Sequence, residues 1–414
     1  MTSDRLRLAW FSPLPPTDSG IADYTYELVP YVAARAAVDV FCPRHLFGRP
    51  PQAPPLSRAW PPARYAARPE HYDAALFHLG NNPHHEFVYR AAQRLPGIAV
   101  FHDAVLHHLV AHMTVESGRD SMGYEPILRI EYGDVGGKLA TLRRDRLATD
   151  FEKFLFPMTA HVARRATGIV VHSQETAAWM RLAAPGIPLT VIPHHAGAPP
   201  AELAKVGRAE ARRRLGLPRD AFVVIHLGFI TKPKQPGAII EGFVRLHREF
   251  PDSILVMVGA DQTGGAVWRL AAKRGIARAV KLTGYVDLVR MYLYMRAGDV
   301  MINLRYPSAG ETSGTLARSL AEGRVVIVNN YASWAELPRD VALKVEIDGP
   351  QSEQVGTRLL ELARDTTLRS SMEERARRYA AAHLDPTKCS EQYVAFVREV
   401  ARRRPEPAVR PKNS

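Results

Sequence analysis

The sequence predicts an α/β protein made of two doubly wound, Rossmann-like domains, and three observations carry that expectation. Short apolar runs alternate with amphipathic stretches of helix length. The pattern restarts after a polar, basic connection. The chain, at 414 residues and 46% apolar content, is long enough to bury two cores. In open parallel sheets ligands sit beyond the carboxyl ends of strands, so two such domains are expected to face a central cleft, with functional residues directly after strands.

Strand candidates in the first half fall at residues 7–11, 38–41, 74–78, 98–102, 168–172 and 189–192, with helical patterns between several of them. That alternation gives βαβ units and a parallel sheet covered on both faces. Residues 194–218, HHAGAPPAELAKVGRAEARRRLGLP, have Pro199 and Pro200 near their start and Gly216 near their end, and read as an interdomain connection carrying one helix. Beyond it come strand candidates at 222–227, 253–258, 279–282, 300–304 and 325–328, again separated by helical stretches. The expected division is residues 1–198, residues 199–380, a C-terminal helical segment at 381–404, and a disordered basic tail at 405–414.

The formal net charge of +13 suits a partner rich in phosphate: nucleic acid, an anionic membrane surface or a small phosphorylated ligand. No nucleic-acid-binding module is recognisable, so no nucleic-acid partner is expected. The two cysteines, Cys42 and Cys389, are too far apart in sequence for a metal knuckle or a redox pair, which fits a reducing cytoplasm. The N-terminal MTSDRLRLAWFSPLPP has an apolar run cut short by prolines and does not read as a signal peptide. No stretch approaches the roughly 20 apolar residues of a membrane span, so a soluble protein is expected, with peripheral contact at the inner face of the cell membrane as the furthest alternative.

Four loops carry candidate chemistry. In FSPLPPTDSGIADYTYELVPY, residues 11–31, three prolines fix an extended turn and Ser19 and Gly20 open the next helix, either as a plain cap or as a binding loop. In VFHDAVLHHLVAH, residues 100–112, His102 falls at a strand end, where a side chain enters a cleft. Asp103 and His107, and His108 and His112, are each one helical turn apart, but no third and fourth ligand accompany them, so no metal is expected. In HLGFITKPKQPGAII, residues 226–240, Lys232 and Lys234 follow a strand and precede a helix, placed to neutralise a diphosphate. In INLRYPSAGETSGTLARSLAEGRVVIVNN, residues 302–330, a strand runs into Arg305. Small residues then surround Glu311, Thr312, Ser313 and Gly314 at a helix start, exposing amides and a carboxylate suited to a polyhydroxylated, phosphorylated ligand.

The order of these segments resembles the nucleotide-sugar-dependent glycosyltransferases of the GT-B fold, in particular the large retaining class called family 4, or glycosyl transferases group 1. LGNNPHHEFVY (79–89), GIVVHSQETAAWM (168–180), TVIPHH (190–195) and LTGYV (282–286) support it in the same order. The resemblance implies transfer of a sugar from a nucleoside diphosphate sugar to an acceptor hydroxyl of a carbohydrate or lipid-linked molecule. Configuration would be retained, with no metal and no cofactor beyond the co-substrate. It also implies an acceptor-side domain at 1–198, a donor domain at 199–380 and a last helix that crosses back to the first domain. Ser19 and Gly20 would approach the diphosphate or acceptor, and His102 would face the reacting sugar. Lys234 would hold phosphate, Glu311 the sugar hydroxyls, and the amides of residues 312–315, including Thr315, the sugar or phosphate.

Two departures stand out. The family often has arginine directly after the strand-closing glycine, where this chain has Phe229, so Arg305 or Lys232 would have to substitute. The family's second glutamate, a ribose ligand, aligns with Ser319, or with Arg318 when counted from the helix end, leaving Glu322 as a replacement. The alternatives are a sugar-nucleotide epimerase or phosphorylase on the same fold, or a non-catalytic protein that binds an anionic ligand or membrane.

Overall fold

A computed structural model describes residues 5–43, 45, 59–118 and 123–403 of the chain. The expected tail at 405–414 lies outside the described residues. The chain divides into two compact units, one of residues 1–193 with 386–414 and one of residues 194–385.

The first unit is built on a seven-stranded parallel sheet: β1 (Arg7–Phe11), β2 (Ala37–Phe41), β3 (Ala59–Trp60), β4 (Ala74–Leu79), β5 (Ile98–Phe101), β6 (Gly168–Val171) and β7 (Leu189–Val191), in the order β3-β2-β1-β4-β5-β6-β7. The second holds a six-stranded parallel sheet: β8 (Val223–Leu227), β9 (Ile254–Val258), β10 (Val280–Leu282), β11 (Val300–Asn303), β12 (Val325–Asn329) and β13 (Ala342–Val345), in the order β10-β9-β8-β11-β12-β13. Central strands such as β4, AALFHL, and β8, VVIHL, are buried along their whole length, because helices cover both faces of each sheet. Strand order reverses between β1 and β4 in the first sheet and between β8 and β11 in the second, which opens a crevice at the carboxyl ends of those strands.

The structure moves both expected domain boundaries by five residues. Ala196 N donates to Leu384 O at 2.8 Å and the Tyr292 hydroxyl donates to Gly197 O at 2.9 Å, so residues 194–198 belong with the second unit. The helix Thr366–His383 runs past residue 380, and Ala376, Ala380 and Leu384 pack in the second unit's core. The return to the first unit begins at Pro386, where the helix Pro386–Arg402 starts. Its Cys389, Tyr393, Val394, Phe396, Val397 and Val400 pack with Leu8, Trp10, Tyr24 and Leu28.

Two strands lie outside the sequence candidates. β3 has only two residues. In β13 an interior lysine breaks the apolar run, but Lys344 is buried and its ammonium donates to the Trp334 carbonyl.

Candidate functional site

In the second unit the loops after β8 and β11 flank the crevice where strand order reverses. Gly228 follows β8 at φ +91°, a conformation that favours glycine, and a Cβ there would stand 2.6 Å from Lys234 Nζ and make the amine shift. The turn Lys232–Lys234 and Gln235, at φ 55°, pass the chain into the helix Pro236–Glu249, opened by Pro236. Lys234 folds back over the strand end, with Nζ 3.4 Å from Leu227 O. Lys232 is exposed and lines a different cavity of 290 Å³ with Gln235, Thr263, Val267 and Leu270.

After β11, Arg305 Nε stands 2.9 Å from Glu311 Oε1. The other carboxylate oxygen, Oε2, accepts from Ser308 Oγ at 2.9 Å and Ala309 N at 2.7 Å, which holds the loop around it. The Arg305 Nε–H is not aligned on the carboxylate and has no hydrogen-bond acceptor. Thr231 Oγ1 and His226 Nε2 are likewise buried without a partner. All three atoms lie at the carboxyl ends of β8 and β11, and leaving such a group without a partner costs about 1–3 kcal/mol. Burial pushes the Lys234 ammonium down to about 7; repulsion from Arg305 adds to this and Glu311 opposes it. His226 Nδ1 donates to Ile302 O at 3.3 Å, leaving a lone pair on Nε2, and burial followed by the charge of Lys234 holds it near 3. The structure thus brings Lys234, Arg305 and Glu311 together, an amine, a guanidinium and a carboxylate.

The helix Gly314–Ala321 starts beside them. Ser313 is its cap, with Oγ accepting from Leu316 N at 3.3 Å. Asn303, the last residue of β11, donates from Nδ2 to Ser313 Oγ at 3.1 Å and Thr315 Oγ1 at 3.3 Å. Its Oδ1 accepts from Trp334 Nε1 at 2.8 Å, so a buried tryptophan fixes the helix start. Thr312 is half-buried in the preceding loop. Arg318 is buried and its guanidinium turns back over the helix start, Nη1 lying 3.0 Å from where a Gly314 Cβ would be.

In the first unit Ser19 caps the helix Gly20–Ala33, its Oγ accepting from Ile21 N at 3.3 Å and lying 3.4 Å from His85 Nε2. A Cβ at Gly20 would meet nothing within 4 Å, so the fold itself does not demand glycine there. His102, just beyond β5, is buried and sits in a chain of histidines from three neighbouring strand ends. Its Nε2 is 2.9 Å from His78 Nδ1 and its Nδ1 is 3.2 Å from His172 Nε2, while His172 Nδ1 is 2.8 Å from Ile192 O. A carbonyl only accepts, so His172 carries its proton on Nδ1. Burial keeps His172 near 4 and His78 well below its ordinary value, so both are neutral. His102 then donates from Nδ1 to His172 Nε2, and in the neutral His102 tautomer that this fixes, His78 donates from Nδ1 to His102 Nε2. Both ring nitrogens of His102 are therefore engaged within the first unit.

Residues 207–379 match the family model described as Glycosyl transferases group 1. That match lies wholly within the second unit. Among curated relatives, the chain is 28% identical over 116 residues to the alpha-monoglucosyldiacylglycerol synthase of Acholeplasma laidlawii, covering 28% of each protein. It is 30% identical over 187 residues to the D-inositol 3-phosphate glycosyltransferase of Salinispora arenicola, covering 42% of this chain and 40% of the relative. These alignments span less than half of either relative's length. A solved structure, Anabaena Alr3699/HepE in complex with UDP-glucose, matches with a TM-score of 0.64 at 15% identity, covering 95% of this chain and 100% of that one. That likeness shows the fold, two parallel-sheet α/β domains of GT-B type.

Of the two cations expected to stand in for an arginine at Phe229, Arg305 lies near Lys234, whereas Lys232 lines a different cavity. Of the alternatives for the second family glutamate, Ser319 Oγ is spent on Thr315 O at 2.6 Å. Glu322 lies at the far end of the helix, paired with Arg296 at 2.7 Å. Arg318 alone of the three turns a charged group over the helix start. Sequence reasoning missed Thr231, His226, Asn303 and Trp334 in the second unit, and His78 and His172 in the first unit. A shared signal existed for four of them, since His78, His172, His226 and Asn303 are polar residues at the carboxyl ends of otherwise apolar runs.

Proposed function

We propose that the protein is a glycosyltransferase that moves a sugar from a nucleoside diphosphate sugar to an acceptor hydroxyl with retention of configuration, in glycan or glycolipid synthesis. The observation that carries this is the grouping of Lys234, Arg305 and Glu311, with unfilled buried hydrogen-bonding atoms around them, inside the region that matches the group 1 family model. As the glycosidic C–O bond breaks, negative charge grows on the diphosphate and positive charge on the sugar ring. Lys234, Arg305 and the amides at the starts of the helices Pro236–Glu249 and Gly314–Ala321 stabilise the first. Glu311 accepts from sugar hydroxyls. The departing phosphate takes the acceptor's proton on the face it leaves, so the new C–O bond forms there and no separate base is needed. Because protein cations supply the charge, no metal is assigned a role; activity in the presence of a chelator tests this.

The nucleotide-sugar donor is supported by the fold match to a protein bound to UDP-glucose, and a lipid-linked acceptor by similarity to a glucosyldiacylglycerol synthase. Among the described residues no helix is long and apolar enough to cross a membrane, so contact with a lipid acceptor would be peripheral. Both cysteines are free and buried, which suits a cytoplasmic setting.

A thermal-shift screen against nucleoside diphosphates and their sugars is the first test, since a ligand of the fold stabilises it by mass action. A shift with at least one, followed by acceptor-dependent product, is expected; no shift with any refutes the donor assignment. Product formed from the donor alone would indicate an epimerase, and product that requires phosphate a phosphorylase.

A further inference from the structure

The cations of the second-unit site are not equally compensated. Glu311 is the carboxylate of this loop, and its oxygens are committed to Arg305, Ser308 and Ala309. Lys234 has one weak contact, to the carbonyl of Leu227. Its other charged neighbours are unfavourable or distant: Arg305 repels it, His226 beneath it presents a neutral ring, and Lys232 on the same turn is exposed. Lys234 thus lies against a strand end, beside a permanent cation, with its potential counter-charge already used.

We propose that above neutral pH Lys234 rests as a neutral amine in the ligand-free protein and is protonated when a diphosphate-bearing ligand arrives, so that ligand and proton bind together. The proposal rests on the donor reading above and adds to it a proton stoichiometry. The amine lone pair takes a proton from solvent and no other bond changes. The diphosphate supplies the negative charge that the protein withholds, so above neutral pH the ammonium prevails only in the complex. The depressed titration of Lys234, to about 7, agrees with the geometry, and a lysine paired with phosphate returns toward its ordinary value of about 10.4. Above pH 7, affinity then falls about tenfold per pH unit, because each binding event must take up a proton that becomes scarcer.

Calorimetric titration of the full chain with UDP and UDP-glucose, at pH 8 in buffers of different ionisation enthalpy, counts protons directly. Uptake close to one proton per ligand is expected at pH 8, falling toward zero at pH 6. UDP-glucose is the control for UDP's own terminal phosphate, which titrates near ~6. Lys234→Arg, whose guanidinium is always charged, is expected to bind UDP without uptake. Binding by the unaltered chain at pH 8 without proton uptake overturns the inference and leaves the donor reading standing. Uptake that persists in Lys234→Arg also overturns it, by assigning the proton to another group. No binding of either probe overturns the inference together with the assignment of a uridine diphosphate donor.

Discussion

Replacing Phe396 with alanine tests whether the chain's last helix belongs to the first unit. Phe396 is 6% exposed, and a Cβ built on Gly168 at the start of β6 would lie 3.1 Å from its ring and 2.8 Å from Val400 Cγ2. The helix therefore rests against a strand that has no side chain to yield. Phe396→Ala removes a ring from this contact and leaves a cavity between helix and sheet. Losses of this kind cost about 3–5 kcal/mol. For a unit of this size each kcal/mol lowers the melting temperature by about 2–4 °C, so a fall of about 6–20 °C is expected. Arg398→Ala, at an exposed position of the same helix, is the control, and surface changes of this type stay within about 0.5 kcal/mol. Differential scanning calorimetry resolves the two units if they melt separately. Equal melting of the two variants would refute the assignment of residues 386–402 to the first core, and with it the discontinuous first unit.

Lys234→Ala and Glu311→Ala should each lower kcat/KM for transfer by about 10²–10³, with little change in melting for Lys234→Ala, and near-full activity in either contradicts the site. Trp334→Phe removes the donor to Asn303 Oδ1 and should cost about 1–3 kcal/mol. It should also weaken UDP binding by loosening the start of the helix Gly314–Ala321; an unchanged Kd would show that this support does not matter. His172→Gln keeps one donor for Ile192 O and one acceptor for His102, whereas His172→Leu keeps neither. Ring nitrogen NMR shifts should therefore show a single His102 tautomer in the first variant and a mixture in the second. The same spectrum in both would mean that Ile192 does not set the histidine chain's direction.

Periodicity shows which runs are strands but not which polar residues will be buried at their ends. The alternation around residues 7–11 or 223–227 is enough to place β1 and β8, because fully covered parallel strands read as continuous apolar runs. β13 escaped for the opposite reason: Lys344 interrupts its pattern, and only the Trp334 carbonyl, a contact made by the fold, makes burying that lysine tolerable. The pairing of Arg305 with Glu311 was legible as a grouping, because a strand-end arginine is followed within six residues by a carboxylate in a loop of small residues. The engagement of His102 by His78 and His172 was not legible, since it depends on three strands lying side by side in register. The boundary near residue 194 was hidden similarly, because Ala196 is tied to the second unit by a backbone hydrogen bond that no composition shift announces.

The Arg305–Glu311 pair explains how a single loop can serve both halves of the proposed donor. Its members are 22% and 17% exposed and their contact is poorly aligned, so the pair is held by charge more than by a good hydrogen bond. On the proposed reading, a phosphate oxygen offers Arg305 Nε the acceptor it lacks, while a sugar hydroxyl offers Glu311 a donor. Charge-assisted hydrogen bonds of this sort contribute about 1.5–3 kcal/mol each, enough to replace the pair when both form. A ligand with only the diphosphate satisfies Arg305 and strips Glu311 of its cation; one with only the hydroxyls does the reverse. Each half alone therefore loses part of its binding energy to opening the pair. The intact donor opens it once and fills both sides, so the loop discriminates in favour of ligands that carry sugar and diphosphate together.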